Sequence, residues 1–116
     1  MKQKTFEKDW GIETYWGCVK NKYISKTLQV NMNNRLPITC HKNVEKTIYI
    51  TRGILSLEII NDDKTIKKIT SLGPSNSYHI GSGVKHVYET KNGDVCFVEV
   101  LSYCINEKIK METNDQ

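Results

Sequence analysis

Long apolar runs are missing from this chain of 116 residues. No stretch approaches the roughly 20 apolar residues a membrane-spanning helix needs, and the opening Met-Lys-Gln-Lys-Thr-Phe-Glu-Lys lacks the apolar core of a secretory leader. The expectation is a cytoplasmic protein with no membrane partner. Proline occurs twice and glycine seven times, which excludes collagen-like and low-complexity architectures. A strong charge of one sign is also missing: 17 basic against 13 acidic residues leaves +4, and Lys2, Lys4, Lys8, Lys20, Lys22 and Lys26 are scattered rather than clustered. Lysines at strand edges serve solubility and discourage edge pairing, so no nucleic-acid partner is expected. No C-x-x-C pair occurs among Cys18, Cys40, Cys96 and Cys104, which excludes a zinc ribbon or a dithiol redox motif. These cysteines read as small apolar residues; Cys40 adjoins His41, but strand alternation sends it to the opposite face. Helical periodicity is absent before the tail.

What is present is a series of short alternating segments divided by turn residues, the pattern of an all-β barrel or sandwich in one domain over 1–116. Trp10 to Gly17 reads as an edge strand carrying aromatic cover. Residues 23–32 alternate, with Ile24, Leu28, Val30 and Met32 on the apolar face, and Asn33-Asn34 turns the chain. A strand follows over 35–41, with Pro37 near an edge or an irregular start. Residues 47–51 and 54–60 read as a hairpin around Arg52-Gly53, and residues 65–70 and 77–80 as short strands. Residues 84–90 and 95–101 read as a last hairpin around Lys91-Asn92-Gly93-Asp94.

Two stretches concentrate chemistry. Residues 39–53 bring His41, Glu45, an alternating strand and a turn glycine together, and residues 78–86 deliver His79 and His86 around a glycine turn. A folded-back sheet is needed to bring these stretches into one pocket.

The residues carrying a resemblance run nearly end to end: Trp10-Gly11, Lys26 with Val30, Arg35-Leu36, His41, Thr47-Ile48-Tyr49, Gly53, Leu72-Gly73-Pro74, His79-Ile80, Gly83, His86, Glu99-Val100 and Ile109-Lys110-Met111-Glu112. On these the chain resembles a small single-domain cupin, a jelly-roll β-barrel, and is most similar to the type II mannose-6-phosphate isomerase group. The chain also departs from that pattern. The family's earlier histidine is Thr39 here, its Gly-Asp is Ser75-Asn76, its proline is Gly81, and the basic residue after the second-motif histidine is Val87. Counting forward from His41 puts the motif carboxylate on Glu45, whereas counting back from Gly53 puts Lys46 there. Strand parity favours Glu45 inward if the strand is continuous.

The resemblance implies a divalent metal (Zn, Mn, Ni or Fe) on His41, Glu45 and His86, a two-histidine, one-carboxylate set with open positions. For an aldose-ketose isomerase such an ion stabilises an enediolate while a base moves the proton, and Glu99 or His79 is the candidate base. Lys26 and Arg35 are the candidate phosphate contacts. Three readings stand: a metal-dependent sugar-phosphate isomerase, an iron-dependent cupin lyase or dioxygenase, and a non-catalytic cupin that binds a carbohydrate or other small ligand over an eroded metal site. A homodimer is expected, because cupins often pair through edge strands and Trp10 to Trp16 offers aromatic area.

Overall fold

The computed structural model describes residues 2–102. Cys104 and the tail residues Ile109 to Glu112 named above lie outside them. The described chain forms ten strands: β1 (Lys4–Lys8), β2 (Gly11–Val19), β3 (Tyr23–Val30), β4 (Asn34–Arg35), β5 (Lys46–Arg52), β6 (Leu55–Ile60), β7 (Ile66–Leu72), β8 (Ser77–Ile80), β9 (Lys85–Thr90) and β10 (Val95–Ser102). They make a six-stranded sheet in the order β1-β2-β3-β10-β5-β8 and a four-stranded sheet in the order β4-β9-β6-β7. Every pairing is antiparallel. Among the described residues no helix is long and apolar enough to cross a membrane.

Period-two alternation builds the core. Ile48 and Ile50 of β5, Leu28 and Val30 of β3 and Phe97 of β10 turn inward from the large sheet, against Leu55, Leu57 and Tyr88 from the small one. The rings of Tyr88 and Phe97 meet edge to face at 4.9 Å, which places β9 directly across the core from β10.

Two expected hairpins turn out to be crossings between sheets. β5 pairs with β10 and β8, whereas β6 pairs with β7 and β9, so the turn at Gly53 carries the chain from one sheet to the other. Residues 91–94 do the same between β9 and β10. Local turn chemistry looks alike in a hairpin and at such a corner; the choice is made by distant partners. Gly53 shows the constraint: its φ is +85°, and a Cβ there would lie 2.3 Å from the Asp94 carbonyl oxygen of the other corner.

Three strand expectations also change. Trp10 to Gly17 was expected at an edge, but β2 is an interior strand, covered by β1 on one side and β3 on the other. The strand expected over 35–41 shrinks to Asn34–Arg35 and an isolated bridge between Thr39 and His86, because Pro37 has no N–H to give a ladder. Met32, expected on the apolar face, is exposed beyond the end of β3.

Candidate functional site

The inner face of the large sheet carries a row of alternating charge across four neighbouring strands: Glu13 of β2, Lys26 of β3, Glu99 of β10 and Lys46 of β5. Lys26 and Glu99 are direct cross-strand partners, while Glu13 and Lys46 sit one diagonal step away, opposite Leu28 and Leu101. Lys26 Nζ donates to Glu13 Oε2 at 2.8 Å and lies 3.4 Å from Glu99 Oε1. Lys46 Nζ donates to Glu99 Oε2 at 3.0 Å. All four residues are buried, with 2–6% of their surfaces exposed, which makes pairing obligatory. From the small sheet Tyr88 donates its hydroxyl to the same Glu99 oxygen, and its ring lies 5.0 Å from Lys46 Nζ.

Burial alone pushes the Glu99 carboxyl up, but Lys46, Lys26 and the Tyr88 hydroxyl outweigh it and hold Glu99 ionised well below the usual range. Burial pulls the Lys26 ammonium down; Glu99 and Glu13 reverse that and hold it above the usual lysine range. Lys46 has one carboxylate partner instead of two, so burial keeps it below that range against the attraction of Glu99. Tyr88 is held a phenol, first by burial and then by the carboxylate it bonds.

His86 stands behind this row. Its Nδ1 lies 2.9 Å from the Val84 carbonyl, so Nδ1 carries the proton and Nε2 presents a lone pair. Nε2 is buried without a hydrogen-bond partner among the described residues. Burial, then the Lys46 cation, lowers His86 to about 4, and the ring is neutral. Thr39 lies opposite His86 on the isolated bridge, with backbone hydrogen bonds of 2.9 and 3.0 Å in the two directions.

A cavity of about 250 Å³ opens onto the row. Glu13, Lys26, Lys46, Tyr88 and Glu99 form its floor; Lys8, Trp10, Leu28, Leu36, Pro37, Thr39 and His41 complete the lining. Its size lies just below the roughly 300–1,000 Å³ of pockets that enclose drug-sized ligands, and suits a single small molecule.

Of the residues singled out from sequence, His41, His86, Lys26 and Glu99 are gathered at this cavity or directly behind it. Lys26 was expected to meet a phosphate and instead stands between two carboxylates. Glu45 needs correction: it points outward and bonds His79 across 2.9 Å, with both side chains more than half exposed. The parity argument assumed a continuous strand from 41 to 45. The chain turns at Lys42-Asn43, where Asn43 has φ +60°, and β5 begins only at Lys46. That turn exchanges the faces and puts Lys46 inside. His79, a candidate base, lies on the outer face of the edge strand β8 and cannot serve the cavity. Arg35, expected to contact ligand, is held on the small sheet by a two-pronged pair with Glu58 at 2.7 and 2.9 Å and does not line the cavity. Sequence reasoning missed Glu13 and Tyr88, and left Lys46 as the alternative to Glu45 that strand parity disfavoured. Glu13 was legible, because it alternates with Gly11 and Tyr15 toward the core.

A divalent ion does not fit this set of side chains. His41 and His86 are the imidazoles present, but the inward residue near them is Lys46, whose charge depresses His86, and Thr39 brings no third imidazole. Among the described residues no three His, Cys, Asp or Glu side chains are grouped as an ion would require.

No protein-family model and no curated relative matches the sequence. Solved structures do match. An oxalate decarboxylase of Bacillus subtilis, a protein with Mn(II) centres, superposes with a TM-score of 0.76 at 14% identity over 90% of this chain. This chain spans only 29% of that protein. KdgF from Halomonas sp. aligns with a TM-score of 0.67 at 9% identity, over 83% of this chain and 84% of its own. The DMSP lyase DddQ from Ruegeria pomeroyi DSS-3 aligns with a TM-score of 0.64 at 14% identity, over 74% of this chain and 41% of its own. The likeness is one of fold: the chain is all-β, with the jelly-roll fold of the cupins.

Proposed function

We propose that the barrel binds one small, uncharged, polyhydroxylated molecule of carbohydrate type, without a metal ion. The observation that carries this reading is the self-neutralising row Glu13–Lys26–Glu99–Lys46 on the cavity floor. A hydroxyl both donates and accepts, so neighbouring hydroxyls of a polyol match alternating carboxylates and ammoniums. A phosphate would bring two negative charges to a floor whose two buried ammoniums already face two buried carboxylates. Trp10 at the cavity wall offers an apolar ring face to the C–H side of a sugar.

The sugar-phosphate isomerase implied by the sequence resemblance is the reading this one displaces, and Lys46 in the carboxylate position is the reason. Calorimetric titration of the protein with D-mannose, D-fructose and mannitol, and with mannose 6-phosphate, separates the two. Binding of the neutral compounds that Trp10→Ala and Glu13→Gln both weaken at least tenfold supports the proposal. Exclusive binding of the phosphate, or conversion of mannose 6-phosphate that a chelator abolishes, overturns it.

A further inference from the structure

We propose that Lys46 is a tethered substitute for a divalent ion: its ammonium, fixed by Glu99 and seated against the Tyr88 ring beside His86, places a positive charge next to the imidazoles and excludes metal from the barrel. The geometry is specific. Lys46 Nζ is 3.0 Å from Glu99 Oε2 and 5.0 Å from the Tyr88 ring centroid, with 4% of its side chain exposed. It shares a cavity wall with His41, and its charge acts directly on His86. A divalent ion brought to the neighbouring imidazoles would set two further positive charges against that buried ammonium, where little water screens the repulsion. The imidazoles beside it therefore have a cation that is part of the chain. Its N–H groups can donate to ligand oxygens, which gives the cavity an electrophilic contact that chelators cannot remove.

This inference does not depend on which molecule the barrel takes, and its test uses metal alone. The full chain is incubated with Zn²⁺, Mn²⁺, Ni²⁺ or Co²⁺, desalted and analysed for bound metal. The wild type should retain less than about a tenth of an ion per chain, because only an ion held by several protein ligands survives desalting. Lys46→Glu should retain about one, with visible absorption bands in the Co²⁺ form, and a second change of His41→Ala or His86→Ala should remove it. Lys46→Glu sets two carboxylates side by side, so Lys46→Glu with Glu99→Gln is prepared in parallel to limit the repulsion; the same gain is expected. A wild type that holds about one ion per chain and loses it on His41→Ala or His86→Ala overturns the proposal. A folded Lys46→Glu or double variant that holds no more metal than the wild type overturns it equally.

Discussion

Glu45 and Lys46 are consecutive in sequence and opposite in charge, and they occupy two different electrostatic worlds. Lys46 lies in the barrel, pairs with Glu99 at 3.0 Å and is linked through it to Lys26, Glu13 and Tyr88. Glu45 lies outside, pairs with His79 at 2.9 Å and keeps 60% of its side chain exposed. The distances are almost equal, so distance cannot rank the two pairs. Solvent does: an exposed pair competes with water and salt, while a buried group that loses its partner has no water to replace it.

The sharpest way to break this comparison is to remove the carboxylate at the centre of the inner row. Glu99→Ala strands Lys26 beside Glu13 alone and leaves Lys46 without a carboxylate partner. We expect a loss of about 3–5 kcal/mol in urea unfolding, the range for breaking a buried pair by deleting one member. Glu99→Gln, which keeps a hydrogen-bond acceptor but no charge, should fall between. A loss under about 1 kcal/mol for Glu99→Ala would show that the row is not a buried network.

Acid provides the next test. His86 is held at about 4 in the folded protein, first by burial and then by Lys46, against 6.5 for an ordinary histidine. The unfolded chain therefore takes up a proton at higher pH than the folded one. The stability tied to the neutral buried ring is fully present above about pH 6.5 and is lost as pH falls from there through about 4. That lowering is worth a few kcal/mol at most. Lys46, Glu99 and His41 are the charged or titratable groups that act on this ring. His86→Asn, whose amide can replace the Nδ1 bond to the Val84 carbonyl, should flatten the stability profile between pH 4 and 6.5. An unchanged slope would assign the acid sensitivity to other groups.

Much of the fold was legible because it rests on local signals. Alternation in 46–52 and 95–102 and turn residues at Asn33-Asn34 and Asn92-Gly93 mark strands and their ends, and the all-β jelly-roll fold agrees with that order. Pairing was less legible. The chain at Gly53 reads as a hairpin, yet β5 and β6 lie in different sheets, because the partners that claim them, β10 and β9, come much later in the chain. The site was half legible for a related reason. His41, His86, Lys26 and Glu99 were found by motif, whereas the choice between Glu45 and Lys46 depended on one residue, Asn43, entering the left-handed region and exchanging the faces. A turn of two residues changes no composition and shifts every side chain after it.

A smaller effect is expected where the small sheet touches the row. Tyr88→Phe removes one hydrogen bond to an ionised carboxylate and keeps the ring that meets Phe97 and Lys46. Hydrogen bonds to charged groups contribute about 1.5–3 kcal/mol, and Lys46 and Lys26 still hold Glu99, so we expect the low end of that range. Thermal unfolding of Tyr88→Phe and Glu99→Gln, singly and together, measures the coupling. Strict additivity would mean that the Tyr88 hydroxyl does not depend on the charge of Glu99.

The smallest effect belongs to the outer pair. Glu45 and His79 meet at 2.9 Å, and Thr47 Oγ1 lies 3.3 Å from His79 Nδ1, so the chain Thr47–His79–Glu45 looks ordered on the edge strand. Both side chains nevertheless keep about 60% of their surface in solvent. Exposed pairs of this kind contribute roughly 0–1 kcal/mol, and salt screens them over a Debye length of about 8 Å at physiological ionic strength. We expect Glu45→Ala and His79→Ala each to change stability by less than about 1 kcal/mol, with a coupling in the double variant near 0.5 kcal/mol that shrinks in 1 M salt. Neither change should alter ligand binding in the barrel, because both side chains project from the opposite face of the sheet. A coupling above about 2 kcal/mol that survives high salt would erase the distinction between the two faces, and loss of ligand binding in either variant would move the functional site to the outside of the barrel.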